Sequence, residues 1–409
     1  MKRPWSHVTR AVAAVEVAWR KTKAVLLVMP TGAGKTVTGA LLAQHRKTLW
    51  VAHRQQLVLQ AAEELRALVG VDNVGVVMCG YPENPRAPIQ VGTVETLLAR
   101  GTRPKVDLLV LDEGHHYEAF SWRKLAAHYR SRDVLVLGLT ATPERHDGRG
   151  LGDVYEVLVE GASYSELVRA GVLVPPLVYG PNHYLGKDFA GDPLEAWEKL
   201  SSHMPTFWFS PSVESARSAA NRLKRRGVPS FTVDWETPSA QREVAMEAFG
   251  SGKIRVLTNA FCLTEGVNVP DARVGLSTRA FRNVGSYIQA FGRLARAAPN
   301  KPYSILIDLT GAHHVHGSPI ADRIYSLDKN ECPIRPKPEP EGEDDRAPFR
   351  RGEAVDEKLY VLESPLSAKT RYPVPVWRGG KVDVARAMRL GARHGKRAAL
   401  SVIEYEERR

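Results

Sequence analysis

Cysteine is scarce in this chain: three residues in 409, Cys79, Cys262 and Cys332. They are far apart and form no C-x-x-C pair, which excludes a zinc ribbon and a disulfide framework and points to a reducing, cytoplasmic setting. Long hydrophobic runs are also missing. A stretch such as Val134 to Leu139 is far below the roughly 20 residues that span a bilayer, so no membrane partner is expected. Lys2 and Arg3 are not followed by an apolar core, so no secretory leader is expected either. Acidic residues are outnumbered: 57 Lys and Arg face 45 Asp and Glu, a net charge of +12. That balance suits a polyanionic partner.

The hydrophobic content of 43% is ample for packed cores, and the length suits two or three domains. Val/Leu-rich runs near 24–28, 48–52, 74–78, 89–92, 106–111 and 134–139 read as strands covered on both faces. Helical patterns fall between them at 35–46, 54–69 and 122–130. A second series follows, with strands near 206–209, 229–233, 254–258, 273–277 and 303–308, and helices at 212–226, 238–249 and 284–296. The fold class is therefore α/β with parallel sheets, in two units of similar size. The expected division is a first domain at 1–165, a connector at 166–205, a second domain at 206–328, a Pro-rich linker at 329–350 and a tail at 351–409. In the tail, the basic run from Lys369 to Arg397 is interrupted by a single acid, Asp383. That charge makes the tail a candidate for phosphate contacts or for docking a protein partner.

The sharpest local signal is Pro30-Thr31-Gly32-Ala33-Gly34-Lys35-Thr36, between the run Ala24 to Val28 and a helical pattern opening at Lys35. Strand, glycine-bearing loop and helix form a phosphate-binding loop. Backbone N–H groups from Thr31 to Thr36 point at anionic oxygens, Lys35 reaches the β/γ phosphates, and the Thr36 hydroxyl is placed for Mg²⁺. The longer form of this pattern has glycine where Met29 stands.

Asp112-Glu113-Gly114-His115 follows the strand at 106–111. An acidic pair leaving a buried strand suits a metal–nucleotide site, with Asp112 on Mg²⁺ and Glu113 activating water. His115 is expected at the edge of the site. Thr140 and Thr142, after the next strand, supply short hydroxyls beside it. Arg293 and Arg296, three apart on an expected helix, would share a face and meet γ-phosphate oxygens.

In order, the chain carries PTGAGKT (30–36), VAHRQQL (51–57), GTVETL (92–97), DEGH (112–115), TATP (140–143), FWFSPSVESA (207–216), TNAFCLTEGVNVP (258–270) and QAFGRLAR (289–296). Over about residues 1–325 this resembles the superfamily 2 helicases of the DEAD/DEAH-box class, close to bacterial RadD-type and phage helicases. The resemblance implies two tandem RecA-like domains with an ATP·Mg²⁺ site in the cleft between them, acting as a monomer. It assigns Glu265 and Gly266 to contacts with nucleotide and nucleic acid, and Gln289 to the nucleotide side of the cleft. It places His53, Arg54, Thr93 and Ser210 on the sugar–phosphate backbone, and favours DNA over RNA. Where the family has a glutamine that reads adenine, this chain has Ser6, leaving Trp5 to stack on the base. The cysteine-rich region of RadD-type proteins has no counterpart. The function these features imply is an ATP-dependent nucleic-acid helicase or translocase. The alternatives are a double-strand translocase subunit of a restriction or defence complex, and a nucleotide-gated clamp.

Overall fold

The computed structural model describes residues 5–82, 84–118, 120–145, 148–260, 272–328, 331–336, 359–363, 377–378 and 381–382. The chain divides into two compact units, residues 1–167 with 321–337, and residues 168–320 with 338–409.

The first unit is built on a seven-stranded parallel sheet. Its strands are β1 (Ala24–Val28), β2 (Thr48–Ala52), β3 (Val74–Val77), β4 (Ile89–Thr93), β5 (Leu108–Asp112), β6 (Leu135–Thr140) and β7 (Val157–Glu160). They lie side by side in the order β3-β4-β2-β5-β6-β1-β7. Every residue of β1, β2 and β5 is buried, as the continuous apolar runs require. The helices are α1 (Ser6–Trp19), α2 (Lys35–Ala43), α3 (Gln55–Val69), α4 (Val94–Ala99) and α5 (Phe120–Arg130). Helix α1 packs against α2, β1 and β7.

Residues 321–337 return to this unit. Arg323–Tyr325 pairs antiparallel with Ile334–Pro336. Asp322 accepts from the Ser165 hydroxyl at 2.6 Å and from the Ser165 N–H at 3.0 Å. Of the stretch expected as a linker, Ile334–Pro336 is thus one strand of a short hairpin.

The second unit carries β8 (Pro176–Gly180), β9 (Thr206–Phe209), β10 (Ser230–Val233), β11 (Val256–Asn259), β12 (Val274–Ser277) and β13 (Ser304–Asp308). Their order is β10-β11-β9-β12-β13-β8, all parallel, and Tyr360–Glu363 adds antiparallel to β8. Its helices include α6 (Tyr164–Arg169), shared with the end of the first unit, α7 (Pro193–Leu200), α8 (Val213–Arg225), α9 (Ser239–Gly250) and α10 (Val284–Gly292).

Caps fix the helix starts. Asp192 accepts from the N–H groups of Leu194 and Glu195, and Ser212 and Ser215 form a reciprocal capping box. Phe207, Phe209, Phe281, Tyr287 and Phe291 pack edge to face in the core. The stretch 166–205, expected as a connector, supplies β8 and α7 to this unit. Among the described residues no helix is long and apolar enough to cross a membrane.

Candidate functional site

Sheet register sets the geometry of the first unit. Strand β6 lies between β5 and β1, with Val28 opposite Thr140 and Asp112 opposite Leu139. The loop after β1, the acidic turn after β5 and the threonines after β6 therefore leave the sheet at the same end. In α/β sheets this carboxyl end is where ligands bind. The N–H of Met29 donates to the Thr140 carbonyl at 3.0 Å, extending the β1–β6 pairing by one residue. Met29 is fully buried, with the Thr38 hydroxyl 3.7 Å from its sulfur. That packing accounts for an apolar residue where the longer phosphate-loop pattern has glycine.

The loop then turns through Gly32 and Gly34, both with positive φ. Gly34, at φ 86°, is the N-cap of α2, a conformation that favours glycine. The Lys35 ammonium donates to the carbonyls of Met29 and Pro30, at 3.3 and 3.5 Å. Helix α1 secures the loop from the side, since His7 Nε2 lies 2.9 Å from the Ala33 carbonyl. The Trp5 ring stacks on His7 with centroids 5.5 Å apart, and it borders Gly34, where a Cβ would come within 3.4 Å of it.

Asp112 is buried, and its carboxyl accepts from the Glu113 N–H at 3.1 Å. Burial pushes the Asp112 carboxyl up to about 7; the neighbouring Glu113 charge adds to the rise and Lys35 opposes it. Glu113 has φ 50°, the left-handed region that side chains disfavour. Its Oε2 lies 3.5 Å from His115 Nδ1. That nitrogen is 3.0 Å from the Thr140 hydroxyl, which itself donates to the Thr142 carbonyl at 3.0 Å. Thr140 Oγ1 also accepts from the Thr142 N–H at 3.0 Å, so the hydroxyl links His115 to the turn after β6.

Of the residues expected on the nucleic-acid side, His53 and Arg54 follow β2, and Arg54 is exposed at the N-cap of α3. Thr93 is buried, and its hydroxyl caps α4: it accepts from the Thr96 N–H and donates to the Thr96 hydroxyl. In the second unit, register aligns Phe209, Asn259 and Val233 at the ends of β9, β11 and β10. Ser210, just beyond β9, is buried, and its Oγ has no hydrogen-bond partner among the described residues.

Gln289 and Arg293 are buried, on α10 and at its C-cap. Arg296 departs from the expected helix face. Helix α10 ends at Gly292, and the chain turns so that Arg296 forms a β-bridge with Leu173. The hydrogen bond from the Val174 N–H to the Ala295 carbonyl, at 2.7 Å, holds that extended segment. Glu265 and Gly266 lie outside the described residues.

Two family models match the chain. Residues 3–145 match "Type III restriction enzyme, res subunit", and residues 193–298 match "Helicase conserved C-terminal domain". Together they cover six strands of the first sheet, four of the second and the strand-end motifs in order. The chain belongs to superfamily 2 of the helicases.

The helicase is 28% identical over 315 residues to a 51.5 kDa protein of Lactococcus phage (isolate 7-9), covering 71% of this chain and 66% of the phage protein. It is 26% identical over 341 residues to the DNA 3'-5' translocase XPB2 of Sulfurisphaera tokodaii, covering 68% of this chain and 76% of that one. Among solved structures, a fragment assigned as the HsdR subunit of a type I restriction enzyme from Vibrio vulnificus shares the fold, with a TM-score of 0.61 at 18% identity. The match covers 77% of this helicase and 66% of that chain.

Three side chains around the helicase motifs carry little signal in a local reading of the sequence. His7 and His116 acquire their places only through sheet order and the packing of α1. Trp235, at the end of β10, is 74% exposed, unusual for a large aromatic. A tryptophan between two acids in a polar turn is the one cue that sequence offers.

Proposed function

We propose that this helicase couples ATP hydrolysis to movement along nucleic acid, DNA in preference to RNA. One observation carries the reading: register brings the phosphate loop, Asp112-Glu113 and Thr140 to one end of one sheet. In this reading the N–H groups from Thr31 to Thr36 and the Lys35 ammonium bind the phosphates. Lys35 exchanges its present carbonyl acceptors for phosphate oxygens.

A buried carboxyl raised toward neutrality beside a second acid fits a divalent cation with oxygen ligands. Asp112 and the Thr36 hydroxyl would hold Mg²⁺, which supplies charge neutralisation at the phosphates. Glu113 orients and deprotonates the attacking water. Trp5, beside Gly34, stacks on the base, in place of reading by the family glutamine. Arg293, Arg296 and Gln289 provide the γ-phosphate contacts of the second unit, with Glu265 and Gly266 in the same motif set.

Arg54, His53 and the segments at Thr93 and Ser210 form the backbone track, with Thr93 and Ser210 contributing through main chain. Trp235 adds a flat face on which a base can stack. Its turn is fixed in advance. Arg217 donates to Asp234 at 2.7 Å and to Glu236 at 2.6 Å, and Thr237 Oγ1 donates to Asp234 at 3.0 Å.

The test is ATP turnover measured with single-stranded DNA, duplex DNA and RNA side by side. Stimulation by DNA is expected, and Lys35→Ala is expected to reduce turnover roughly 100-fold or more with the fold intact. Wild-type turnover in that variant would refute the site. Strand displacement compared with triplex displacement separates unwinding from duplex translocation. The match of residues 3–145 to the restriction-enzyme model favours translocation within a larger complex as the second reading.

A further inference from the structure

The first unit contains a column of three imidazoles, of which only His53 has a part in the steps above. His53, at the end of β2, faces His116 with ring centroids 4.1 Å apart and planes tilted by 43°. His116 in turn faces His115, with centroids 4.3 Å apart and planes tilted by 37°. His115 ends the column against the Thr140 hydroxyl at 3.0 Å and Glu113 Oε2 at 3.5 Å. The column exists because β2 and β5 are neighbours in the sheet, with Val51 opposite Leu111, so their carboxyl ends emerge side by side.

We propose that His116 is a positioning residue that transmits occupancy of the His53–Arg54 segment by nucleic acid to the Glu113 carboxylate. The proposal rests on the reading of the chain as a nucleic-acid motor, and it adds the route by which the polymer controls hydrolysis.

Three features support transmission over passive packing. First, the contacts are continuous: each ring touches the next, and the last one is anchored to the β6 end and lies against the acid. Second, the far end is poised to change. Glu113 holds a left-handed backbone at φ 50°, which a residue bearing a side chain leaves readily when its surroundings shift. Among the described residues its buried Oε2 has no hydrogen-bond partner, and it lies 3.5 Å from His115 Nδ1. A small displacement of the His115 ring therefore changes where the carboxylate points. Third, the near end adjoins an exposed cation. Arg54, adjacent to His53, is exposed, so a phosphate bound there pulls on the chain segment that carries the first ring. Coupling of this kind requires that nucleic acid favour one of two arrangements of the Glu113 turn. In this proposal those two arrangements belong to the strained Glu113 turn.

The experiment measures ATP turnover with and without a single-stranded oligonucleotide, and binding of the same oligonucleotide by fluorescence anisotropy. It uses the full-length wild type, His116→Ala and His116→Phe. In His116→Ala, basal turnover and oligonucleotide affinity are expected to stay within about twofold of wild type, while stimulation falls by about fivefold or more. His116→Phe, which keeps a ring face in the column, is expected to recover most of the stimulation. Full stimulation in His116→Ala overturns the proposal. So does loss of basal turnover in both variants, which would mark a purely structural residue, and so does failure of phenylalanine to rescue. A wild type that no nucleic acid stimulates would remove the motor reading itself, a result distinct from any difference between variants.

Discussion

The Tyr155 hydroxyl donates to the Gly114 carbonyl at 3.3 Å, and it occupies the space that a side chain at position 114 would need. A Cβ on Gly114 would lie 2.5 Å from that oxygen. Tyr155 is itself buried in the core beneath the acidic turn and has no room to retreat. Gly114→Ala is therefore expected to destabilise the first unit by about 1–3 kcal/mol. Adding Tyr155→Phe, which removes the clashing oxygen, should recover much of the loss. Denaturant midpoints of the two variants decide it; an unaltered midpoint in Gly114→Ala would contradict the packing.

Trp5 and His7 make a separable prediction at the nucleotide site. Trp5→Ala should raise the KM for ATP with little change in kcat, because a stacking contact serves ground state and transition state alike. His7→Ala, which releases the Ala33 carbonyl, should lower kcat as well, because the phosphate loop loses a lateral support. Equal effects on both constants in both variants would show that the pair does not divide the work in this way.

The nucleic-acid track divides by charge. Arg54→Ala is expected to weaken binding uniformly across sequences and to reduce the salt slope by about 1. Trp235→Ala should weaken single-strand binding while leaving that slope unchanged, since stacking releases no counterions. Anisotropy titrations at several salt concentrations distinguish the two. A slope change in Trp235→Ala would argue against stacking.

Acid should unfold the second unit partly through Asp192 and Asp234. At Asp192, burial raises the carboxyl, but the Arg222 hydrogen bond, the Glu195 and Leu194 N–H groups and the Arg222 charge outweigh it, holding it below the usual range. At Asp234, burial is likewise outweighed by Arg217 and Thr237. A carboxylate lowered by folding stabilises above its unfolded value. That contribution disappears as pH falls through the folded value, here below about 4. Asp192→Ala should cost about 1 kcal/mol near neutral pH, through loss of the α7 cap. Both Asp192→Asn and Asp234→Asn should flatten the acid limb of a stability–pH profile. A limb as steep as that of wild type would place the sensitivity elsewhere.

How much of this could be read from the residues alone depends on whether the signal was local. Strands β1, β2 and β5 were legible because burial on both faces demands unbroken Val/Leu runs, and the motifs following them were legible for the same reason. Strand β7 was not, since its residues are only partly covered at the sheet edge. Strand β8 was hidden by Pro175-Pro176, because paired prolines ordinarily interrupt regular structure; a proline can open a strand, and Pro176 does so. The sharing of a helix face by Arg293 and Arg296 failed because Gly292 ends α10 and an extended pairing with Leu173 takes over. The histidine column could not be foreseen, because it needs the adjacency of β2 and β5. That is a property of strand order, and no window of sequence contains it.

Strand Tyr360–Glu363, laid antiparallel along β8, has a practical consequence for anyone trimming this protein. A chain cut near residue 350 would lose more than a basic appendage. It would uncover a row of unpaired amide and carbonyl groups on Pro176–Gly180, and such a bare margin recruits strands from neighbouring molecules. Weakened binding in such a truncation would then report clumping as readily as lost charge. Neutralising the lysines and arginines beyond residue 364 in place, with the closing strand kept, avoids that confusion.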